Sequence, residues 1–351
     1  MLRALALSAL SVSVVVSAQA PAAPLTLESS EFIYEKAPFP SAHASTIVET
    51  PQGLVASWFG GTAEKNPDVG IWVSRHREGK WTPPVEVADG VQSPSTRHPT
   101  WNPVLFQIDG GPLLLFYKVG PSPRDWWGMV MASADHGASW TPPARLPDGI
   151  LGPIRAKPVA LPDGSVLAGS STEHDGWIVH MERFTAPKAD RSAAGWVQWL
   201  ATSPAWTKSR PLNTKGEFGA IQPTILLHGT RTIQILNRST QKVVTENWST
   251  DGGATWSPMR ATTLANPSAG VDAVKLADGR FVLVYNPSAR DRHTLSLAIS
   301  TDGKTWTRAL DLDEGPKEYS YPAMIVARDG RIHVTYTWRR ERIKHAVVAV
   351  R

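Results

Sequence analysis

Six polar or ionisable residues stand at comparable places along the chain, each just ahead of an apolar, strand-forming run: His43, Asn102, Lys157, Gln222, Asp272 and Tyr321, with Arg155 two residues before Lys157. An imidazole, two amides, two cations, a carboxylate and a phenol hold polar ligands and move protons, which suits a sugar better than an apolar molecule. Strand ends also carry such residues merely to cap the sheet and bind water, so one alone decides nothing; six in register point to a shared purpose. A second cluster, Arg97-His98-Pro99-Thr100-Trp101-Asn102, sets an imidazole beside a cation and an amide. β-Elimination on a uronate needs such groups: a base for the proton α to the carboxylate (His43 or His98), a tyrosine as acid, and Arg97, Arg155 or Asn102 to neutralise the carboxylate. A histidine at a strand end is more often simply hydrogen-bonded there.

The elements that position these residues recur. A turn containing glycine is followed by a β-rich run at Gly53, Gly110, Gly164, Gly229, Gly279 and Gly330, 50 to 65 residues apart. That period, built of short strands and Gly/Asp turns with little helical periodicity, matches one four-stranded propeller blade, and six copies predict six blades. Runs such as Leu113-Leu114-Leu115-Phe116 and Phe281-Val282-Leu283-Val284 are apolar on both faces, as strands sandwiched between blades must be. The reading is an all-β, six-bladed β-propeller over residues 21–351, as a single domain.

A second motif interleaves with the first. Ser133 to Trp140 and Ser249 to Trp256 both fit Ser-x-Asp-x-Gly-x-Thr/Ser-Trp, and Ser300 to Trp306 is a copy one residue shorter. The Asp carboxylate can accept N–H bonds of its own turn, the glycine supplies positive φ, and the Trp packs beneath. These are Asp-boxes, and with the blade repeat they make residues 30–351 resemble the sialidase (neuraminidase) superfamily. The boxes are structural turns of the outer rim and say nothing about catalysis.

That resemblance implies roles for particular residues. Sialidases hold a substrate carboxylate with three arginines, protonate the leaving group with an Asp on an early loop, and attack with a Tyr assisted by a Glu. Tyr319-Ser320-Tyr321-Pro322 is similar to the family's Tyr-Ser segment and places Tyr319 at the nucleophile position, with Tyr321 beside it. Asn286-Pro287 with Arg292-His293-Thr294-Leu295, and Leu236-Asn237-Arg238-Ser239, resemble the segments that deliver two of the arginines. Glu64 and Asp68, in Phe59 to Asp68, are the candidates on the acid loop. Two departures stand out. The segment for the remaining arginine reads Pro40-Ser41-Ala42-His43-Ala44, without arginine, and the assisting Glu falls nearest Gln222, an amide that cannot take a proton. Glu217 substitutes for it only if its loop folds inward. The pattern resembles the outlying predicted-neuraminidase group.

Three functions follow. The first is an exo-acting glycoside hydrolase for a terminal acidic sugar, with Asp68 or Glu64 as acid/base, Tyr319 or Tyr321 as nucleophile or transition-state stabiliser, and Arg238, Arg292, Arg155 and Lys157 gripping the anion. The second is the lyase above. The third is a carbohydrate-binding propeller without catalysis.

Composition narrows the rest. The chain contains no cysteine, which excludes disulfides and thiol chemistry. Its net charge of +5 is mild and no basic run with interleaved aromatics suggests nucleic acid, so an acidic glycan is the expected partner. The 15 tryptophans mostly serve the core between blades. No Gly-x-Gly-x-x-Gly turn, phosphate loop or helical His pair calls for a cofactor or metal. Arg3, the apolar run Ala4 to Val16 and Ala18-Gln19-Ala20 read as a signal peptide over residues 1–20, which predicts a periplasmic or secreted protein, monomeric and free of the membrane once the signal is cleaved.

Overall fold

The computed structural model describes residues 24–351; the expected signal peptide lies outside the described residues. Each of the six glycine turns joins the first and second strands of an antiparallel sheet, and the six sheets are the blades of a propeller. Blade 1 holds Ser41–Thr50, Gly53–Gly61 and Gly70–Arg77 with two short outer strands, and blade 2 holds Thr100–Gln107, Leu113–Val119, Trp127–Ser133 and Ala144–Arg145. Blade 3 is Val159–Ala160, Val166–Thr172, Ile178–Phe184 and Trp206–Lys208; blade 4 is Ala220–Leu227, Ile233–Ser239, Val243–Ser249 and Arg260–Ala265. Blade 5 is Asp272–Lys275, Phe281–Tyr285, Thr294–Ser300 and Thr307–Glu314.

Blade 6 (Tyr319–Val326, Ile332–Trp338, Arg342–Val350) takes its fourth strand from the far end of the chain. Leu25–Phe32 pairs antiparallel with Arg342–Val350, from Leu25↔Val350 to Phe32↔Lys344. Leu25 is 1% exposed and packs with Leu312, Tyr336 and Val348, so the ring closes through hydrogen bonds and apolar contact without a covalent staple.

The two-faced apolar strands do what their sequence implies. In blade 2, Leu114 and Phe116 pack with Phe184 of blade 3, while Leu113 and Leu115 pack with Val55 and Val73 of blade 1. Alternation sends successive side chains to opposite seams, so every residue of a middle strand is core. One element departs from the repeat: the helix Ala193–Leu200, inserted in blade 3, is N-capped by the Ser192 hydroxyl accepting from Gly195 N–H and buries Trp196, Val197 and Leu200 on the blade 2–3 seam.

The Ser-x-Asp turns link the third and fourth strands of blades 2, 4 and 5. In blade 4, Asp251 accepts from the Thr255 hydroxyl (2.6 Å) and N–H (2.9 Å), and the Ser249 hydroxyl both donates to Asp251 (2.8 Å) and accepts from Gly253 N–H (2.8 Å). Those bonds, from Thr255 above all, hold the Asp251 carboxyl well below the ordinary range.

Where the first strand of each blade meets the axis, one non-glycine residue adopts left-handed φ: Ala44 (54°), Asn102 (43°), Arg155 (67°), Gln222 (59°), Ser268 (61°) and Tyr321 (50°). In blades 1, 2, 4 and 6 a register shift of the first strand brackets that residue. The bulge turns the chain at the axis, at a cost of about 1–2 kcal/mol per L-residue that the surrounding ring must meet.

Candidate functional site

The left-handed residues mark one end of the axis, where second strands end and the loops 62–69, 120–126, 173–177, 286–293, 315–318 and 339–341 lie; this is the funnel end of the propeller. Arg238, at the end of the second strand of blade 4, donates from Nη1 to Gln222 Oε1 (3.2 Å) and to the Tyr321 hydroxyl. Its guanidinium lies 4.8 Å from the Trp177 ring centroid and 5.5 Å from that of Tyr321, and Arg292 approaches the same Tyr321 ring at 5.5 Å. The phenol thus sits between two arginines at the funnel floor.

An ion network surrounds this stack. Glu318 binds Arg292 Nη1 (2.8 Å) and Arg340 Nε (3.0 Å) and accepts from the Ser320 hydroxyl; Arg340 Nη1 also binds Glu64 (2.6 Å). Burial pushes the Glu318 pKa up, but Arg340 and Arg292 outweigh it and hold the carboxyl below its ordinary value. Arg339 and Arg340 are both left-handed, at 58° and 63°, in the two-residue turn between Trp338 and Glu341, where glycine or asparagine is the usual occupant. Glu173 stands at the end of the second strand of blade 3. Burial raises its pKa against the pull of Arg238, Trp177 and Arg124, and Glu64 adds to the rise.

His43 is 1% exposed. Its Nδ1 meets the Thr337 hydroxyl (2.9 Å), its Nε2 has no partner, and its ring centroid lies 4.0 Å from that of Tyr321. Burial, reinforced by Arg340, Arg292, Arg238 and Arg155, drives its pKa well below 6.5 and keeps the ring neutral.

The structure brings together Tyr321, Arg238, Arg292, Gln222, His43 and Glu64 of the residues singled out in the sequence. Asn102 shares the left-handed position and is 5% exposed. The others go elsewhere. Tyr319, two residues before the left-handed Tyr321, is 1% exposed and points into the blade 5–6 seam with Val284, Leu297 and Tyr336; regular alternation would put both phenols on one face, and the bulge between Ser320 and Ala323 is what turns Tyr321 to the funnel side.

Lys157 and Asp272 lie beyond the left-handed residues of their blades, Arg155 and Ser268, and form an ion pair (2.9 Å) inside the ring. Asp272 is saturated by Lys157, Thr224 Oγ1 (2.6 Å), Ala273 N–H (2.9 Å) and Met324 N–H (2.8 Å). Lys157 lines a hollow of about 450 Å³ with Ile47, Glu49 and Arg328, residues of the glycine-turn end opposite the funnel. Arg155 is not free to grip an anion, because it bonds the Pro322 carbonyl (2.6 Å) and the Val271 carbonyl.

Asp68 closes its own loop, accepting from Thr62 N–H (2.8 Å) and Thr62 Oγ1 (2.8 Å). His98 stands edge-on to Trp127 at 5.8 Å, and Arg97 binds Glu86 (3.4 Å) and the Asp68 carbonyl (3.2 Å). Glu217 is exposed and accepts from Thr214 (3.1 Å), so its loop does not fold inward.

Sequence reading missed Glu173, Trp177, Glu318 and Arg340. They sit on loops without a repeated signature; the tandem Arg339-Arg340 directly after a strand was the one available clue.

The model of the BNR repeat-like domain family matches residues 52–334. The chain belongs to that family. No curated protein matches it. Among solved structures it is similar to a protein of unknown function from Dyadobacter fermentans (18% identity, TM-score 0.72, covering 93% of this chain and 100% of that one). It is also similar to the Hadza microbial sialidase Hz136 (15%, 0.69, 88% and 65%) and to the NanB sialidase of Streptococcus pneumoniae (12%, 0.64, 91% and 70%). The chain spans just under two thirds of the Hadza sialidase. At these identities the likeness is one of fold: a six-bladed, sialidase-like propeller.

Proposed function

We propose that this protein is an exo-acting glycoside hydrolase for a terminal acidic sugar, exported to the periplasm or beyond. The observation that carries this reading is the Arg238–Tyr321–Arg292 cluster at the end of the axis, with Glu173, whose pKa burial raises, in the field of Arg238. Guanidinium groups suit a sugar carboxylate because their forked donors match its two oxygens. Glu173 gives its proton to the glycosidic oxygen as the C–O bond breaks, and the Tyr321 oxygen faces the anomeric carbon. Arg238, already donating to that oxygen, holds it where its lone pair faces the positive charge that develops on the anomeric carbon in the transition state. Water bonds to the anomeric carbon in place of the leaving group, its proton going to the Glu173 carboxylate. Glu64, tied to Arg340, is the alternative acid, on the loop of blade 1.

The test is a screen of the purified protein against a sialoside, a Kdo glycoside and uronate oligosaccharides, following released monosaccharide and the ultraviolet absorbance of unsaturated product. The hydrolase gives free sugar without absorbance, and Tyr321→Phe abolishes it. Binding without either product overturns the reading in favour of a non-catalytic sugar-binding propeller.

A second reading, elimination on a uronate, has one observation in its favour. His43 is held neutral with a partnerless Nε2 beside Tyr321. A neutral imidazole can take a proton, and the two arginines would neutralise the uronate carboxylate. Absorbance without free sugar, lost in His43→Ala, selects it.

A further inference from the structure

Arg155 is a costly residue that the chemistry above does not use. Its guanidinium is buried, its backbone is left-handed (φ 67°), its Nε has no partner, and burial lowers its pKa while Asp272 pulls the other way. Among the described residues no carboxylate forms an ion pair with it. Its hydrogen bonds go instead to two backbone carbonyls on other blades: Pro322 (2.6 Å), which directly follows Tyr321 in blade 6, and Val271, at the entry to blade 5. Burying a cation to satisfy main-chain oxygens is worthwhile only where those oxygens must be held.

Both carbonyls belong to axis segments that carry left-handed residues, Tyr321 and Ser268. Ser268 in turn offers its own carbonyl to Arg292 Nη2 (3.3 Å). The path of the side chain is kept clear by Gly270: a Cβ there would come within 2.8 Å of Arg155 Cδ and 2.9 Å of its Nε. That glycine does not have positive φ among the described residues, so space, not backbone freedom, is what it supplies.

We infer that Arg155 is a positioning residue that reaches from blade 3 across the axis to fix the left-handed bulge at Tyr321, with Gly270 as the gap that lets it pass. This deepens the hydrolase reading, since the bulge aims the phenol at Arg238 and Arg292. A misplacement of the phenol by about 1 Å is enough to cost on the order of 10²-fold in turnover. Arg155 acts through Tyr321 and does not touch substrate.

The experiment is fluorine NMR of the full-length mature protein labelled with 3-fluorotyrosine, which places one reporter on each of its six tyrosines. Tyr321→Phe assigns the Tyr321 signal by its disappearance. Arg155→Met and Gly270→Ala, one removing the guanidinium and the other crowding it, are both expected to shift and broaden that signal while leaving those of Tyr34 and Tyr117 in place. Arg155→Lys, which keeps the charge but cannot hold two carbonyls with a fork, is expected to restore it only in part. If Arg155→Met fails to fold, Gly270→Ala carries the test.

A Tyr321 signal unchanged in a folded Arg155→Met or Gly270→Ala protein overturns the inference and leaves Arg155 a stabilising strut. The measurement needs no substrate, so it stands apart from the hydrolase reading. Once a substrate is in hand, positioning predicts a fall of about 10²-fold in kcat with KM nearly unchanged. Normal kcat with a displaced Tyr321 signal would instead sink the role of Tyr321 in turnover.

Discussion

Replacing Glu173 by Gln separates a proton donor from a carboxylate that merely shapes the funnel. Gln keeps the size and the hydrogen bonding toward Trp177 but cannot release a proton. Burial raises the Glu173 pKa, in opposition to Arg238, and Glu64 adds to the rise, so the parent holds its proton over a wider range of pH than an ordinary Glu. General acid catalysis is worth about 10²–10⁴-fold, or roughly 3–5 kcal/mol of transition-state stabilisation. That loss should fall on substrates with a sugar leaving group, which needs the proton. An aryl glycoside, whose phenolate leaves unaided, should lose far less. The pH profile adds a second readout. Activity that depends on protonated Glu173 declines as pH rises through its elevated pKa, and Glu173→Gln should flatten that alkaline limb. The assay is initial-rate hydrolysis of a matched aryl and disaccharide pair across pH. An equal loss on both substrates with the alkaline limb intact would refute the assignment and move the acid role to Glu64.

Three other outcomes follow from the geometry. Asp272→Ala leaves Lys157 unpaired and the Thr224 hydroxyl and Met324 N–H without their acceptor; it should cost about 3–5 kcal/mol and lower Tm by roughly 4–7 °C in a thermal melt. Turnover per folded molecule should be unchanged, and a Tm within a degree or two of the parent would contradict a structural role for this ion pair. Tyr319→Phe should leave turnover at the parent level while Tyr321→Phe abolishes it, because Tyr319 faces the seam; the reverse result would restore the sequence-based nucleophile. His333, stacked on His345 in blade 6 with ring nitrogens 2.9 Å apart, has its pKa pushed down to about 4, by burial first and then by His345. Its lowered pKa means the unfolded chain binds the extra proton between about 6.5 and 4. Stability is therefore full above pH 6.5 and falls by up to about 3 kcal/mol toward pH 4, at about 1.4 kcal/mol per unit. Denaturant melts across that window should show a shallower acid-side loss in His333→Phe.

Periodicity and turn chemistry settled the architecture in advance. The six glycine turns each join the first two strands of a blade, and Leu113 to Phe116 are buried on both faces as their composition requires. These signals are local: a turn needs its glycine and a sandwiched strand its apolar residues wherever the rest of the chain goes. The closure of blade 6 by Leu25–Phe32 was not legible, because a strand at one end of the chain carries no mark of the partner it will meet 300 residues away.

The site divides along the same line. Asn102, Gln222 and Tyr321 stand at the end of the axis because their blades turn left-handed at those residues. Lys157 and Asp272 were displaced from the funnel because blades 3 and 5 make that turn earlier, at Arg155 and Ser268, which carries the later residues down the axis into the ring. Tyr319 and Tyr321 differ by one pleat repeat, and only the bulge between Ser320 and Ala323 decides which phenol meets Arg238. Glu173, Glu318 and Arg340 come from three loops with no shared pattern, and what makes them a site is their convergence on two arginines. The sequence by itself determined how many blades there are and which strands are core, since both rest on contacts between near neighbours; which charges meet at the axis was decided by the ring as a whole, because a backbone turn in one blade sets the partner of a side chain in another.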